Sequence, residues 1–290
     1  MRIDELFNQR KPVISFEIFP PKKVDGIETL YDTLHELGDV QADFVSVTYG
    51  AGSSDNFNRT LEISKYVQDT FKVPALHHLT CAERSITEMD DIFAQLQEAG
   101  IENILALRGD VTAKQLELTD YEYAKDLIAA VSANGNFSTG AACYPEGHVS
   151  QLKECEDMKH LRQKANAGAN FFISQLFFNN DHFYRLQEDA FANHIEKPIS
   201  AGIMPILSQK QVARMTFMCG SSLPAKLVKL VHQYGEKPSD LQAAGIEYAL
   251  EQARDLIEQG VDGVHIYAMN RSDVIQQIIP DLVNFTGEFA

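Results

Sequence analysis

The sequence predicts an α/β chain folded as a single closed (β/α)8 barrel, and three observations predict it. Eight short apolar runs, rich in β-branched and aromatic residues, recur along the 290 residues. Stretches with helical spacing separate them. Several of those helices end on glycine just before the next run, where a left-handed residue turns the chain back. Nearly continuous apolar strands that alternate with helices imply a parallel sheet covered on both faces, and eight such units point to closure. An open doubly wound sheet fits less well, because no GxGxxG follows the first strand and nothing divides the chain into halves.

The elements follow in order. PVISFEIF (12–19) is the first strand, and ETLYDTLHEL (28–37) its helix. ADFVSVTYG (42–50) and PALHHLTC (74–81) are the second and third strands. EMDDIFAQLQEAG (88–100) then leads through Gly100 into NILALRGD (103–110). YAKDLIAAVSANG (123–135) precedes STGAACYPE (138–146), and DMKHLRQKANAG (157–168) ends on Gly168 before FFISQLFF (171–178). PISAGIMPI (198–206) is the seventh strand. The connection 207–262 is long enough for two helices or more; it includes GIEYALEQARDLIEQG, which ends on Gly260 before GVHIYAMN (263–270). With no linker or low-complexity segment, residues 1–290 read as one catalytic domain.

Composition narrows the function. A net charge of −16 disfavours a nucleic-acid or anionic-membrane surface. The four cysteines, Cys81, Cys143, Cys155 and Cys219, show neither CxxC nor zinc-finger spacing, so a reduced, cytoplasmic chain is expected. MRIDELFNQRKP is charged and has no apolar core, so no secretory leader is expected, and no run approaches a membrane span.

Polar residues recur in the apolar runs with the period of the barrel unit. Glu17, Thr48, His78 and Arg108 are 31, 30 and 30 positions apart; Tyr144 and Gln175 follow after 36 and 31. The last run adds Tyr267, Asn270 and Arg271. In a barrel, the C-terminal strand ends form the active-site face. Each residue has a plainer reading alone: Glu17 as a solvent-facing acid, His78 as a core histidine, Tyr144 and Tyr267 as packing. His77 and His78 are adjacent, so at most one of them faces the mouth. The common phase of the whole set favours one mouth. No GxSxG, Walker loop or HExxH is present, and one histidine at the strand ends with scattered acids disfavours a metal site. One acid in an apolar frame, an Arg-Gly-Asp turn, amides and aromatics suit a planar, hydrogen-bonding cofactor or heterocycle with one proton donor beside it.

SFEIFPP, FVSVTYGA, HHLTC, ALRGD, CYPEGH, NAGANFFISQLFF, GIMPI and HIYAMNR occur in this order across residues 15–271. With them the chain resembles the methylenetetrahydrofolate reductase family. The resemblance implies a TIM barrel holding non-covalent FAD. It implies NADH or NADPH as electron donor and 5,10-methylenetetrahydrofolate as acceptor. The two would alternate at one site in a ping-pong reaction that yields 5-methyltetrahydrofolate for methionine synthesis. A homo-oligomer is implied by analogy with bacterial relatives, without nucleic-acid or membrane partners. The chain ends soon after the last barrel unit, so a C-terminal regulatory domain and adenosylmethionine feedback are not expected.

The roles carry over motif by motif. Glu17 in SFEIFPP matches the proton donor. Thr48, Tyr49 and Ala51 in VTYGA match flavin contacts. So do His78 in HHLTC, Arg108, Gly109 and Asp110 in LRGD, and Tyr144 and His148 in CYPEGH. Asp157 and Lys164 match the segment that holds the ribose and diphosphate, and Tyr123 and Ala124 match further flavin contacts. Gln175, Gln211 and Arg271 match folate contacts, and Asp110 is expected to touch both flavin and pterin. Two positions depart from relatives. Met215 stands where many have a ring-stacking phenylalanine, and Gln163 replaces a basic residue beside Lys164.

The chemistry explains the acid inside an apolar strand. The carbon that bridges N5 and N10 of the folate accepts hydride once the N10 bond has opened, and opening needs a proton on N10. A free Glu loses its proton near pH 4.3. Burial among Phe16, Ile18 and Phe19 disfavours the carboxylate and raises that value toward the working pH of a general acid. Asp110, ionised beside Arg108, would favour the developing iminium and the release of hydride from the flavin.

Overall fold

Eight parallel strands pair in sequence order and close: β1 (Val13–Ile18), β2 (Phe44–Val47), β3 (Ala75–Thr80), β4 (Asn103–Leu107), β5 (Ser138–Cys143), β6 (Phe171–Ser174), β7 (Ile199–Ile203) and β8 (Gly263–Ile266). The computed structural model describes residues 1–21, 26–38, 40–49, 56–82, 84–109, 120–149 and 154–287. The closing ladder aligns Phe16 of β1 with Ile266 of β8. Each strand lies inside its predicted run and is shorter than it. Thr48, Arg108, Tyr144 and Gln175, trimmed from the C-terminal ends of their runs, lie just past the strands.

The helices are α1 (Ile3–Gln9), α2 (Gly26–Leu37), α3 (Asn56–Phe71), α4 (Ile86–Glu98), α5 (Ala124–Asn134), α6 (Glu154–Ala167), α7 (Asn180–Ala192), α8 (Gln209–Cys219), α9 (Ala225–Tyr234), α10 (Pro238–Glu258) and α11 (Ser272–Gly287). The long connection thus holds three helices, α8 to α10. Gly100, Gly168 and Gly260 take φ of +70°, +116° and +79°, the left-handed turns that the sequence implies.

Alternation along the strands sorts side chains into two layers. Ile14, Phe16 and Ile18 of β1 point outward and join the large core between sheet and helices. Val13, Phe44, Leu76, Leu105, Phe171 and Ile173 point inward and pack with Ile3, Leu6 and Phe7 of α1. Helix α1 therefore plugs the N-terminal end of the barrel. Its first amides are met by barrel side chains: Ile3 N–H donates to Asn103 Oδ1 at 2.7 Å and Asp4 N–H to Ser138 Oγ at 3.2 Å. This satisfies donors that a helix start leaves open. A third apolar group, with Leu176, Phe178, Met204, Ile206 and Val212, lies beyond the ends of β6 and β7 under α8 and α10.

The N-terminal rim is stitched by one recurring device. Asp43, Asn170 and Asp262 each stand just before a strand and accept an amide from the first two residues of the strand preceding it: Ile14 N–H at 2.7 Å, Thr139 N–H at 2.8 Å and Ile199 N–H at 2.9 Å.

Candidate active site

Five of the periodic polar residues stand one position past the end of a strand: Thr48 after β2, Arg108 after β4, Tyr144 after β5, Gln175 after β6 and Tyr267 after β8. Glu17 is the penultimate residue of β1, and His78 lies inside β3. The closed topology therefore brings them to one rim. His77 and His78 part as expected. His77 faces α3, with its Nδ1 at 3.2 Å from Ser64 Oγ and its ring edge-on to Phe57. His78 faces inward, its Nε2 2.5 Å from Ser46 Oγ.

Glu17 is set among uncharged groups. Across β2 it aligns with Ser46, whose hydroxyl is bonded to His78. On the β8 side, His265 Nδ1 shares a hydrogen bond of 2.8 Å with Ser15 Oγ. Burial holds both His78 and His265 neutral, with pKa values lowered to about 3. Glu17 is half-buried at the mouth but sits deep in protein, and burial pushes its pKa up to about 8. Among the described residues no cation offsets that push. A carboxylic acid held protonated at neutral pH is what the apolar frame of SFEIFPP implies.

A second group gathers around Tyr144. His148 stands edge-on to it at 4.7 Å, and Lys164 Nζ lies 5.4 Å from its ring centroid. Lys164 reaches inward from α6 and donates to Ala142 O at 2.8 Å. Asp157, also on α6, accepts the His148 amide at 3.1 Å. Burial lowers the His148 pKa, and the positive charges of Arg108 and Lys164 add to the effect. Two cations thus converge on one wall of a chain whose net charge is −16. Gly109 follows Arg108 with φ +87°; a Cβ there would lie 3.1 Å from Thr80 Cβ and 3.3 Å from Ala82 Cβ. Tyr123 and Ala124 form the start of α5, where Tyr123 N–H is capped by Asp126 at 2.8 Å. Tyr49 OH accepts from Arg84 at 2.7 Å, a partner that sequence reasoning missed.

The three amide and arginine positions are less uniform. Gln175 Oε1 accepts the Leu176 amide at 2.9 Å, which leaves its NH2 without a partner among the described residues. Gln211 folds onto its own loop: its Oε1 accepts Leu207 N–H at 2.7 Å and its Nε2 donates to Pro205 O at 3.3 Å. Arg271 grips Asp273 with two bonds of 2.7 and 2.5 Å and reaches Gln242 at 3.1 Å. A carboxylate ligand there would compete with Asp273. Met215 lies on α8 against the apolar group beyond β6 and β7, and Gln163 lies on α6. Ala51 and Asp110 lie outside the described residues.

Asn270, Ser46 and His265 also shape this rim, although none matched a family role. Asn270 already stands among the strand-end polar residues of the sequence. The two others look like ordinary sheet residues until the register is known. No group of three or more possible metal ligands occurs among the described residues.

Comparison with known proteins decides the family. A sequence profile of methylenetetrahydrofolate reductase matches residues 2–283. The chain belongs to the methylenetetrahydrofolate reductase family. Within it, the 5,10-methylenetetrahydrofolate reductase of Pectobacterium carotovorum subsp. carotovorum is 32% identical over 261 residues, which cover 90% of this chain and 87% of that protein. Methylenetetrahydrofolate reductase (NADH) 1 of Arabidopsis thaliana is 32% identical over 284 residues, 93% of this chain and 48% of the relative. The chain thus spans about half the length of the plant relatives it matches. Among solved structures, an uncharacterized protein from Clostridium thermocellum that binds two copies of 5-methyl-5,6,7,8-tetrahydrofolic acid superposes with a TM-score of 0.71 at 16% identity, over 97% of this chain and 99% of that one. At that identity the likeness speaks for the fold alone.

Proposed function

We propose that this chain, as one catalytic domain, reduces 5,10-methylenetetrahydrofolate to 5-methyltetrahydrofolate with electrons from NADH or NADPH. The two reactants would alternate at one site that holds non-covalent FAD. The observation that carries the reading is Glu17: a carboxyl kept protonated to about pH 8 at the C-terminal rim of a barrel of this family. The reaction needs one such acid.

The residues fit a flavin with a diphosphate. The Lys164 ammonium has one acceptor, Ala142 O, among the described residues; an ammonium carries three donors, so two remain for phosphate oxygens. Arg108 adds charge to the same wall. Tyr144, His148, Asp157, Lys164 and Arg108 would hold the flavin, with Thr48, Tyr49, Ala51, His78, Gly109, Tyr123 and Ala124 as further contacts. FAD, when bound, supplies hydride transfer. Glu17 delivers a proton to N10 of the folate, so that the N10 bond opens and leaves an N5 iminium able to accept hydride. By its match in LRGD, Asp110 would favour that cation as it develops; a fixed charge of this kind in a dry site can contribute a few kcal/mol. Gln175, Gln211 and Arg271 orient the folate, with Arg271 exchanging Asp273 for a carboxylate of the substrate. The product would supply methyl groups for methionine synthesis in the cytoplasm, and none of the described helices is long and apolar enough to cross a membrane.

Spectroscopy under anaerobic conditions tests the reading. The purified protein should be yellow, NADH or NADPH should bleach it, and methylenetetrahydrofolate should restore the colour while 5-methyltetrahydrofolate forms. A protein that takes up no flavin, or whose reduced flavin ignores the folate, would overturn it.

A further inference from the structure

Tyr267 faces Glu17 across the closing ladder: Phe16 pairs with Ile266, Glu17 is the next residue of β1, and Tyr267 follows directly after β8. The phenol is held from three strands. Its hydroxyl donates to Ser174 O, at the last residue of β6, at 2.6 Å. Its ring stands edge-on to His265 at 5.2 Å, and His265 is itself bonded to Ser15. On β7, Gly202 makes room for it: a Cβ there would lie 2.6 Å from Tyr267 Cε2 and 2.3 Å from Ser174 O. The Gly202 amide donates to Ser174 Oγ at 2.9 Å, which fixes the same corner.

A tyrosine could act here through its hydroxyl or through its ring. The hydroxyl proton is already committed to Ser174 O. Burial, and then the charge of Glu17, push the phenol well above its ordinary range, so it is no acid or base near neutral pH. The ring remains. We propose that Tyr267 is a positioning residue for the acid step: its pinned ring closes the β8 side of Glu17 to water, and that dryness keeps the proton on the carboxyl until the folate takes it. The inference rests on the reading of Glu17 as the general acid.

The surrounding groups allow a clean test. The titratable side chains on this wall are His78 on β3, Cys143 and Tyr144 at the end of β5, Cys219 on α8 and His265. Burial lowers both histidines to about 3 and raises Cys143 and Tyr144 to about 12; Cys219 is pushed up as well. The charges of Arg108 and Asp157 act on Tyr144 at the far side. Among the described residues, none of these five side chains titrates between pH 5 and 9, so a midpoint in that window reports Glu17.

The experiment is a 13C NMR titration of the glutamate-labelled chain, with the Glu17 carboxyl assigned by its loss in Glu17→Gln. Tyr267→Ala should lower the Glu17 midpoint by about one pH unit or more, whereas Tyr267→Phe, which keeps the ring, should stay within about half a unit of wild type. The alkaline limb of the folate half-reaction should move with the midpoint, relative to that of the nicotinamide half-reaction. A raised wild-type midpoint that Tyr267→Ala leaves in place overturns this inference alone. A wild-type midpoint near the ordinary 4.5 overturns the acid reading and this inference together. Should Tyr267→Ala fail to fold, Tyr267→Leu replaces it: a smaller drop supports the proposal, and an unmoved midpoint overturns it.

Discussion

The side-chain amide of Asn270 bonds both backbone groups of Phe19: Phe19 N–H donates to Oδ1 at 2.9 Å, and Nδ2 donates to Phe19 O at 2.8 Å. It adds one rung beyond the last β8–β1 pair, two residues from the acid. Asn270 has φ +55°, a left-handed backbone that Asn tolerates better than most residues. Asn270→Ala loses both bonds and keeps the strain, so it should cost about 2 kcal/mol in urea unfolding. Asn270→Asp, which keeps the acceptor, should cost less. Equal losses would show that the acceptor of Phe19 N–H contributes nothing.

Glu17→Gln should separate the two half-reactions. The variant should bind flavin and accept electrons from the nicotinamide. Its folate half-reaction in rapid mixing should fall by about 100-fold or more, the usual worth of a general acid. Folate reduction near the wild-type rate would remove Glu17 from the role.

The same substitution carries a stability signature. Glu17 has a folded pKa of about 8 against an ordinary 4.5, so the folded state holds a proton that the unfolded state loses between these values. Wild-type stability from this group is full below about pH 4.5 and declines as pH rises toward 8. Glu17→Gln lacks that decline. It should gain on wild type across this window, by roughly 4–5 kcal/mol at pH 8.5, measured by chemical denaturation. Parallel pH curves would contradict the buried, protonated acid.

Gly202→Ala should disturb the site through Tyr267. The added methyl meets backbone at 2.3 Å, which a rotamer change cannot relieve. A loss of about 2–3 kcal/mol is expected. Gly100→Ala is the control: its φ is +70° but nothing lies within 4 Å, so only the left-handed strain of about 1 kcal/mol applies. Similar thermal shifts for both would mean that the barrel wall yields at β7.

Lys164→Met should pull stability and flavin affinity apart. A buried ammonium with one acceptor is costly to the empty protein, and Met fills much of the same volume. The flavin-free variant should therefore melt at or above the wild-type temperature. Its FAD dissociation constant should rise roughly 10-fold or more, as expected for a lost charge-assisted contact. Unchanged FAD binding would place the diphosphate elsewhere.

Much of this was legible in the chain because a barrel repeats. Glu17, Thr48, His78 and Arg108 sit at a period set by one strand, one helix and two loops, so spacing alone carried them to one rim. The strand ends were overdrawn because apolar character does not stop where the ladder does. Tyr144 and Gln175 belong to apolar runs, yet both lie past the last pair. What stayed hidden depends on register. Ser46 and His265 touch the acid's surroundings only through pairings that no local pattern encodes. Arg84 reaches Tyr49 from a loop 35 residues away, and Gln211 bonds the backbone of its own loop at Leu207 and Pro205.

Helix α1 gives the barrel a blind end. Ile3, Leu6 and Phe7 stopper it from below, and the amides of Ile3 and Asp4 are tied to Asn103 and Ser138. Whatever enters at the rim must back out the way it came. In the proposed function, two bulky reactants that share this one open end would take turns, the first product leaving before the next molecule is admitted.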